Sequence, residues 1–158
     1  MVKRNADARD AAPDPGTGMR GTDGHIAYLL RQAQAAVRQR IERALDDLGV
    51  TYPQFTVMTM IRSYDGLSGA DIARLSLLTP QTVTVIVRNL VRDGLVVREK
   101  HATHGRILTL ALSADGRTLL TRCRRRLAPI EAAMVGDLSE ADERIVREWL
   151  VALAVRQD

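Results

Sequence analysis

The chain has 158 residues, 23 Lys and Arg against 19 Asp and Glu, a net charge of +4 and a single cysteine. That length suits one domain with a helical extension, and one cysteine excludes an internal disulfide framework or a multi-cysteine zinc site. Aromatic residues are only 3% of the chain, too few for the stacking platforms of a single-strand nucleic-acid binder.

In chain order, residues 1–22 are rich in Asp, Ala, Gly and Pro and carry no period, which predicts a disordered tail. The first residues have no apolar core of a signal peptide, and no apolar run approaches a membrane span. A cytoplasmic protein with no membrane contact is therefore expected. From His25 to Val50, Ile26, Leu30, Ala33, Val37, Ile41, Ala44 and Leu48 step by threes and fours, predicting a long amphipathic helix stopped by Gly49. Six turns span roughly 36 Å, more than a small core covers, so part of the stripe is expected to meet another chain.

Pro53 suits the first turn of a second helix to Tyr64, with Phe55, Met58 and Ile61 inward. Ser68 and Asp71 form a capping-box pattern for a short third helix, about Gly69 to Leu75. Thr79-Pro80 repeats the pairing of N-cap and first-turn proline. Two signals then conflict. Thr82-Val-Thr-Val-Ile-Val87 is β-branched and alternating, as in a strand. Val83, Ile86, Val87, Leu90 and Val91 keep helical spacing up to Gly94, and the wider window favours a helix.

Leu95–Lys100 and Arg106–Leu112 read as the arms of a hairpin around Thr103-His104-Gly105. Ser113 caps a fifth helix with Leu120, Cys123, Leu127, Ile130 and Met134 on one stripe, ended by Gly136. Ser139 and Asp142 open a sixth, with Val146, Trp149, Leu150 and Leu153 inward. The fold class is mainly α with a small β-wing: a winged helix-turn-helix flanked by dimerisation helices. The expected domains are the tail 1–22, a helical dimerisation region of 23–50 and 113–158, and a DNA-binding domain of 51–112.

A winged helix-turn-helix sets one helix in the major groove and a ribbon beside it. With Val83, Ile86, Val87 and Leu90 inward, the outward set is Gln81, Thr82, Thr84, Val85 and Arg88. Gln81 suits adenine, Arg88 guanine or phosphate, and Thr84 and Val85 a thymine methyl. Ser68, Arg74 and Thr79 are candidate phosphate contacts. Arg98, Lys100 and Arg106 line the wing and suit phosphate or the minor groove. The partner is thus double-stranded DNA, and the competing reading is a non-specific architectural binder.

The run Arg122-Cys-Arg-Arg-Arg126 reads as a solvated helix face. Cys123 lies on the apolar stripe, where a thiol packs as a small hydrophobe, and a redox-responsive regulator through Cys123 is the alternative. His101 and His104 lack a third ligand, so no metal is expected. No paired carboxylates, nucleophile elbow or phosphate loop appears, and neither catalysis nor a cofactor is expected.

The order of elements, with Thr79-Pro-Gln-Thr-Val-Thr, Leu90-Val-Arg-Asp-Gly-Leu-Val and Leu112-Ser-Ala-Asp-Gly116, resembles the multiple antibiotic resistance regulator (MarR) family over about residues 25–156. The resemblance implies a homodimer whose first and last helices interlock, a palindromic site, repression as the default, and a ligand site between dimerisation helices and winged domain. The wing tip departs from the family's Asp-Arg-Arg-like pattern: His104, Gly105 and Arg106 keep only the arginine. The family's sensing cysteine lies near the first helix, unlike Cys123. A small aromatic or anionic effector is expected between the first, second and fifth helices. Its candidate lining is Tyr28, Phe55, Met58 and Tyr64, with Arg31 for a carboxylate.

Overall fold

The computed structural model describes residues 14–100 and 108–156. It holds six α-helices and one two-stranded sheet among the described residues: α1 (Ile26–Leu45), α2 (Tyr52–Ser63), α3 (Gly69–Ser76), α4 (Pro80–Arg92), β1 (Val96–Lys100), β2 (Leu108–Leu112), α5 (Ala114–Val135) and α6 (Glu140–Val155). The chain divides into two compact units, residues 1–40 and 41–158.

In the first unit, part of the predicted tail has local structure. A short 3₁₀ turn covers Gly18–Arg20. Arg20 Nε donates to Gln32 Oε1 at 3.1 Å, and Gln32 Nε2 donates to the Arg20 carbonyl at 3.0 Å. This reciprocal pair ties the turn to α1, a contact no composition argument foresees.

In the second unit, α1 ends by tightening into a 3₁₀ turn at Asp46–Leu48, and Gly49 closes it in the left-handed region. Thr51 then starts α2 with a full capping box. Its hydroxyl accepts from the Gln54 amide at 3.3 Å, and its own amide donates to Gln54 Oε1 at 2.9 Å. Val57, Met58 and Ile61 of α2 form the core with Ile72 and Ala73 of α3, Val83, Ile86, Val87 and Leu90 of α4, Val96, Leu112 and Leu120.

The conflict over α4 resolves as a helix. An alternating strand would bury Val83, Val85 and Val87 together; instead Val85 is 46% exposed while Val83, Ile86, Val87 and Leu90 are buried. Packing against α2 and α3 outweighs the β-preference of the branched residues.

Leu77 links α3 to α4 with φ 56°, the one non-glycine residue in the left-handed region among those described. It is 92% exposed, so no packing against the described residues offsets the strain. Leu77→Gly is expected to raise stability by about 0.5–1 kcal/mol, read as a higher denaturation midpoint. A loss of stability instead would mean that Leu77 packs on a surface outside the chain.

β1 and β2 pair antiparallel, with Val96 opposite Leu112 and Lys100 opposite Leu108. Leu95, predicted as strand, serves as a connector. Its amide donates to the Leu90 carbonyl at 2.9 Å, closing α4, and its carbonyl accepts from the Ser113 amide at 3.1 Å. Ser113 donates its hydroxyl to the Gly94 carbonyl at 2.7 Å and accepts from the Gly116 amide at 3.0 Å. The end of α4 and the start of α5 are thereby locked to the base of the wing.

α5 buries Gly116, Leu120, Cys123 and Leu127, then leaves the core: Ile130 is half-buried and Met134 exposed. α6 departs from the inward reading. Ser139 caps it, accepting from the Asp142 amide at 3.2 Å, but the helix buries no residue within this chain. Val146, Trp149, Leu150 and Leu153 are 42–45% exposed. Periodicity identified the apolar stripe correctly, but the described residues of its own unit do not bury it.

Candidate nucleic-acid interface

α4 positions the candidate reading surface. Thr79 caps it, accepting from the Thr82 amide at 3.2 Å, and the Thr79 and Thr82 hydroxyls share a hydrogen bond of 2.8 Å. Pro80 sits in the first turn, where its missing N–H costs nothing. With one face fixed in the core, Gln81, Thr82, Thr84, Val85 and Arg88 all stand exposed on the other. The Thr84 hydroxyl donates to the Pro80 carbonyl at 2.8 Å, which orients its methyl and leaves its oxygen as an acceptor. Arg88 has no carboxylate partner among the described residues.

At the start of α3 the candidate phosphate contacts are engaged internally. The Ser68 hydroxyl donates to the Asp71 carboxylate at 2.6 Å and accepts from the Asp71 amide at 3.2 Å. The Ser68 amide donates to the same carboxylate at 3.1 Å, and Arg74 pairs with its other oxygen. The hydroxyl and amide of Ser68, helped by Arg74, hold the Asp71 carboxyl below its ordinary value of 3.8.

Ser68→Ala removes this cap and is expected to cost about 1 kcal/mol. Because the carboxyl of Asp71 is depressed in the folded chain, the stability linked to it is complete above 3.8 and is lost as the pH falls through the folded value. The gap between the variant and the parent should therefore hold at neutral pH and narrow in acid. Urea midpoints at several pH values read it, and a gap that widens in acid would contradict the assignment.

On the wing, Arg98 is exposed on β1. The backbone of Lys100 pairs with Leu108, and Arg106, His101, His104 and Gly105 lie outside the described residues. Arg98 and Thr84 border a cavity of about 220 Å³ whose other walls are Gly69, Val83, Val87 and Leu110. Spacing along the chain gave no sign of this cavity, because it forms only where α4 packs against the sheet.

The residues predicted to line an effector pocket differ in their exposure. Met58 is fully buried in the core cluster. Phe55 packs half-buried against the same core. Tyr64 is the exposed C-cap of α2, and Tyr28 and Arg31 are exposed on α1. Cys123 is wholly buried, and that burial pushes its thiol pKa above the ordinary value. No cluster of metal-ligating side chains exists among the described residues, and none of their helices is long and apolar enough to cross a membrane.

A model of the MarR family matches residues 48–107. The chain is 32% identical over 131 residues to the HTH-type transcriptional repressor Rv2887 of Mycobacterium tuberculosis (strain H37Rv), covering 83% of this chain and 94% of that one. A crystal structure of the M. tuberculosis MarR family protein Rv2887 in complex with salicylic acid aligns at a TM-score of 0.67 and 32% identity, over 84% of this chain and 98% of that one. The S. aureus MepR–DNA complex aligns at a TM-score of 0.76 and 24% identity, over 84% of this chain and 96% of that one, a likeness of fold. The core that fixes α4, the wing locked to its end and the extent of this similarity lead to one conclusion: the chain belongs to the MarR family of winged helix-turn-helix transcriptional regulators.

Proposed function

We propose that the protein is a homodimeric repressor that acts by binding and not by turnover, working in the cytoplasm on a pseudo-palindromic DNA site. The carrying observation is α4, which buries Val83, Ile86, Val87 and Leu90 and presents Gln81, Thr82, Thr84, Val85 and Arg88 together. Gln81 and Arg88 supply the donors that base edges of adenine and guanine accept, and Thr84 and Val85 the apolar contact for thymine. Arg98, with Lys100 and Arg106, serves the phosphates flanking each half-site. The bare stripe of α6 supplies the dimer seam.

The effector is a small aromatic acid. The relative Rv2887 is named as a complex with salicylic acid. In this chain the cavity beside Arg98 has apolar walls, one hydroxyl and one guanidinium, and its volume of about 220 Å³ suits a single ring with a carboxylate. A ligand there engages Arg98 and Thr84, both needed on DNA, and so favours the unbound protein by its differential affinity.

Selection of duplexes from a random pool tests the reading. A pseudo-palindrome with half-site centres about 10 base pairs apart is expected. Salicylate should then raise the thermal midpoint and release the selected duplex over one concentration range. No recovered motif would remove the operator; a raised midpoint without release would remove salicylate as the effector.

A further inference from the structure

Between Asp115 and Glu131, α5 carries five arginines and no carboxylate: Arg117, Arg122, Arg124, Arg125 and Arg126. Two are tied down. Arg117 Nη1 donates to the Leu112 carbonyl at 2.6 Å, and Arg126 Nη2 donates to Asp47 at 2.8 Å. Arg122, Arg124 and Arg125 have no carboxylate partner among the described residues. The neighbouring α6 handles charge in the usual way of a solvated face, with Arg147 on Glu143 at 2.6 Å and Arg144 near Glu148 at 3.9 Å, each pair four residues apart. On α5, Arg122 and Arg125, three residues apart, repel each other and weaken the helix, and neither has a carboxylate partner among the described residues.

The arginines also line concave ground. Leu120, Cys123 and Leu127 bury one side of α5, and helical spacing puts Thr118, Thr121, Arg122 and Arg125 on the opposite one. Two shallow depressions run along that side. One, of about 300 Å³, has Thr118 and Thr121 beside Arg117, Arg122 and Arg125. The other, of about 230 Å³, has Leu48 and Pro129 beside Arg122, Arg125 and Arg126. Arg122 and Arg125 therefore mark the place the two depressions share. The Thr118 and Thr121 hydroxyls donate to the Ala114 and Arg117 carbonyls at 3.0 and 2.9 Å, which leaves their oxygens free to accept from a ligand hydroxyl.

We propose that this face of α5 binds a small organic ligand carrying a pyrophosphate group, of nucleoside diphosphate size. The pyrophosphate bridges Arg122 and Arg125, whose planar forks match phosphate oxygens two at a time. The apolar part of the ligand lies against Leu48 and Pro129, and a sugar hydroxyl donates to Thr118 or Thr121. The threonine hydroxyls, Leu48 and Pro129 beside the arginines offer contacts to a ligand's non-phosphate part, which favours the small ligand.

Calorimetric titration of the full chain without DNA tests the site, using inorganic pyrophosphate, ADP and adenosine as probes. Pyrophosphate and ADP should bind, ADP the tighter, and adenosine should not. The double variant Arg122→Gln, Arg125→Gln keeps helix-forming side chains and should lose affinity at least about tenfold. Arg124→Gln, on the flank of the same helix, should not. Absence of binding by the parent protein, or equal loss in Arg124→Gln, overturns the proposal. So does displacement of pyrophosphate by a short duplex of arbitrary sequence, which would assign the face to DNA. Sedimentation of the double variant closes the remaining route: a monomer there would assign these arginines to the subunit contact instead.

Discussion

Replacing Gly116 by alanine is expected to destabilise the protein by about 3 kcal/mol, at the upper end for an overpacked site. A Cβ built at Gly116 lies 2.0 Å from the Leu95 carbonyl oxygen and 3.0 Å from its carbon. The obstacle is backbone, so no rotamer relieves it. That same carbonyl accepts from the Ser113 amide, and the Leu95 amide closes α4. Pushing Leu95 away therefore disturbs the start of α5, the base of the wing and the end of α4 together, and DNA affinity should fall with stability. Gly69→Ala is the control, since a Cβ there meets nothing within 4 Å. Denaturant midpoints at one protein concentration read both variants. Equal stability of Gly116→Ala and the parent would refute the close approach.

Leu150→Asp should convert the dimer to a monomer and weaken operator binding by about 100-fold or more, because each winged domain must then bind its half-site alone. Leu150 belongs to the stripe with Val146, Trp149 and Leu153, each still 42–45% exposed against the described residues of its own unit. A carboxylate in an apolar seam is costly to desolvate, whereas on an exposed helix face it is harmless. The core of residues 41–127 does not contain Leu150, so helix content should persist in the monomer. Sedimentation at micromolar concentration decides. A variant that stays dimeric would remove α6 from the seam.

The local rules were the readable part of this sequence. Ser68, Thr79, Ser113 and Ser139 each cap the helix predicted for them, since an N-cap bond depends on neighbours three residues apart. Thr51 with Gln54 follows the same rule, next to the Pro53 signal. In α4 the spacing of buried residues outweighed a β-branched run, because a helix there covers α2 and α3 and a strand would not. What stayed hidden depends on distant partners. The glycine of Leu112-Ser-Ala-Asp-Gly116 stood out as part of a motif, but its reason is a carbonyl 21 positions earlier. The strain at Leu77 is invisible in a residue type that seldom adopts it. Met58 and Trp149 both lie on apolar stripes, yet one is enclosed and the other bare. Periodicity reports that a face is apolar, not what covers it.

Whether α4 reads sequence is tested most directly by a ratio of affinities. Binding of the selected duplex is compared with that of a scrambled duplex of equal length, at one physiological salt concentration. A sequence-reading dimer should prefer its site by about 1,000-fold or more. Arg88→Ala should lose about 1–3 kcal/mol on the selected site and relax the preference at one base pair per half-site, while binding to the scrambled duplex changes little. A ratio near one, with Arg88→Ala weakening both duplexes alike, would mean that the protein coats DNA by charge alone.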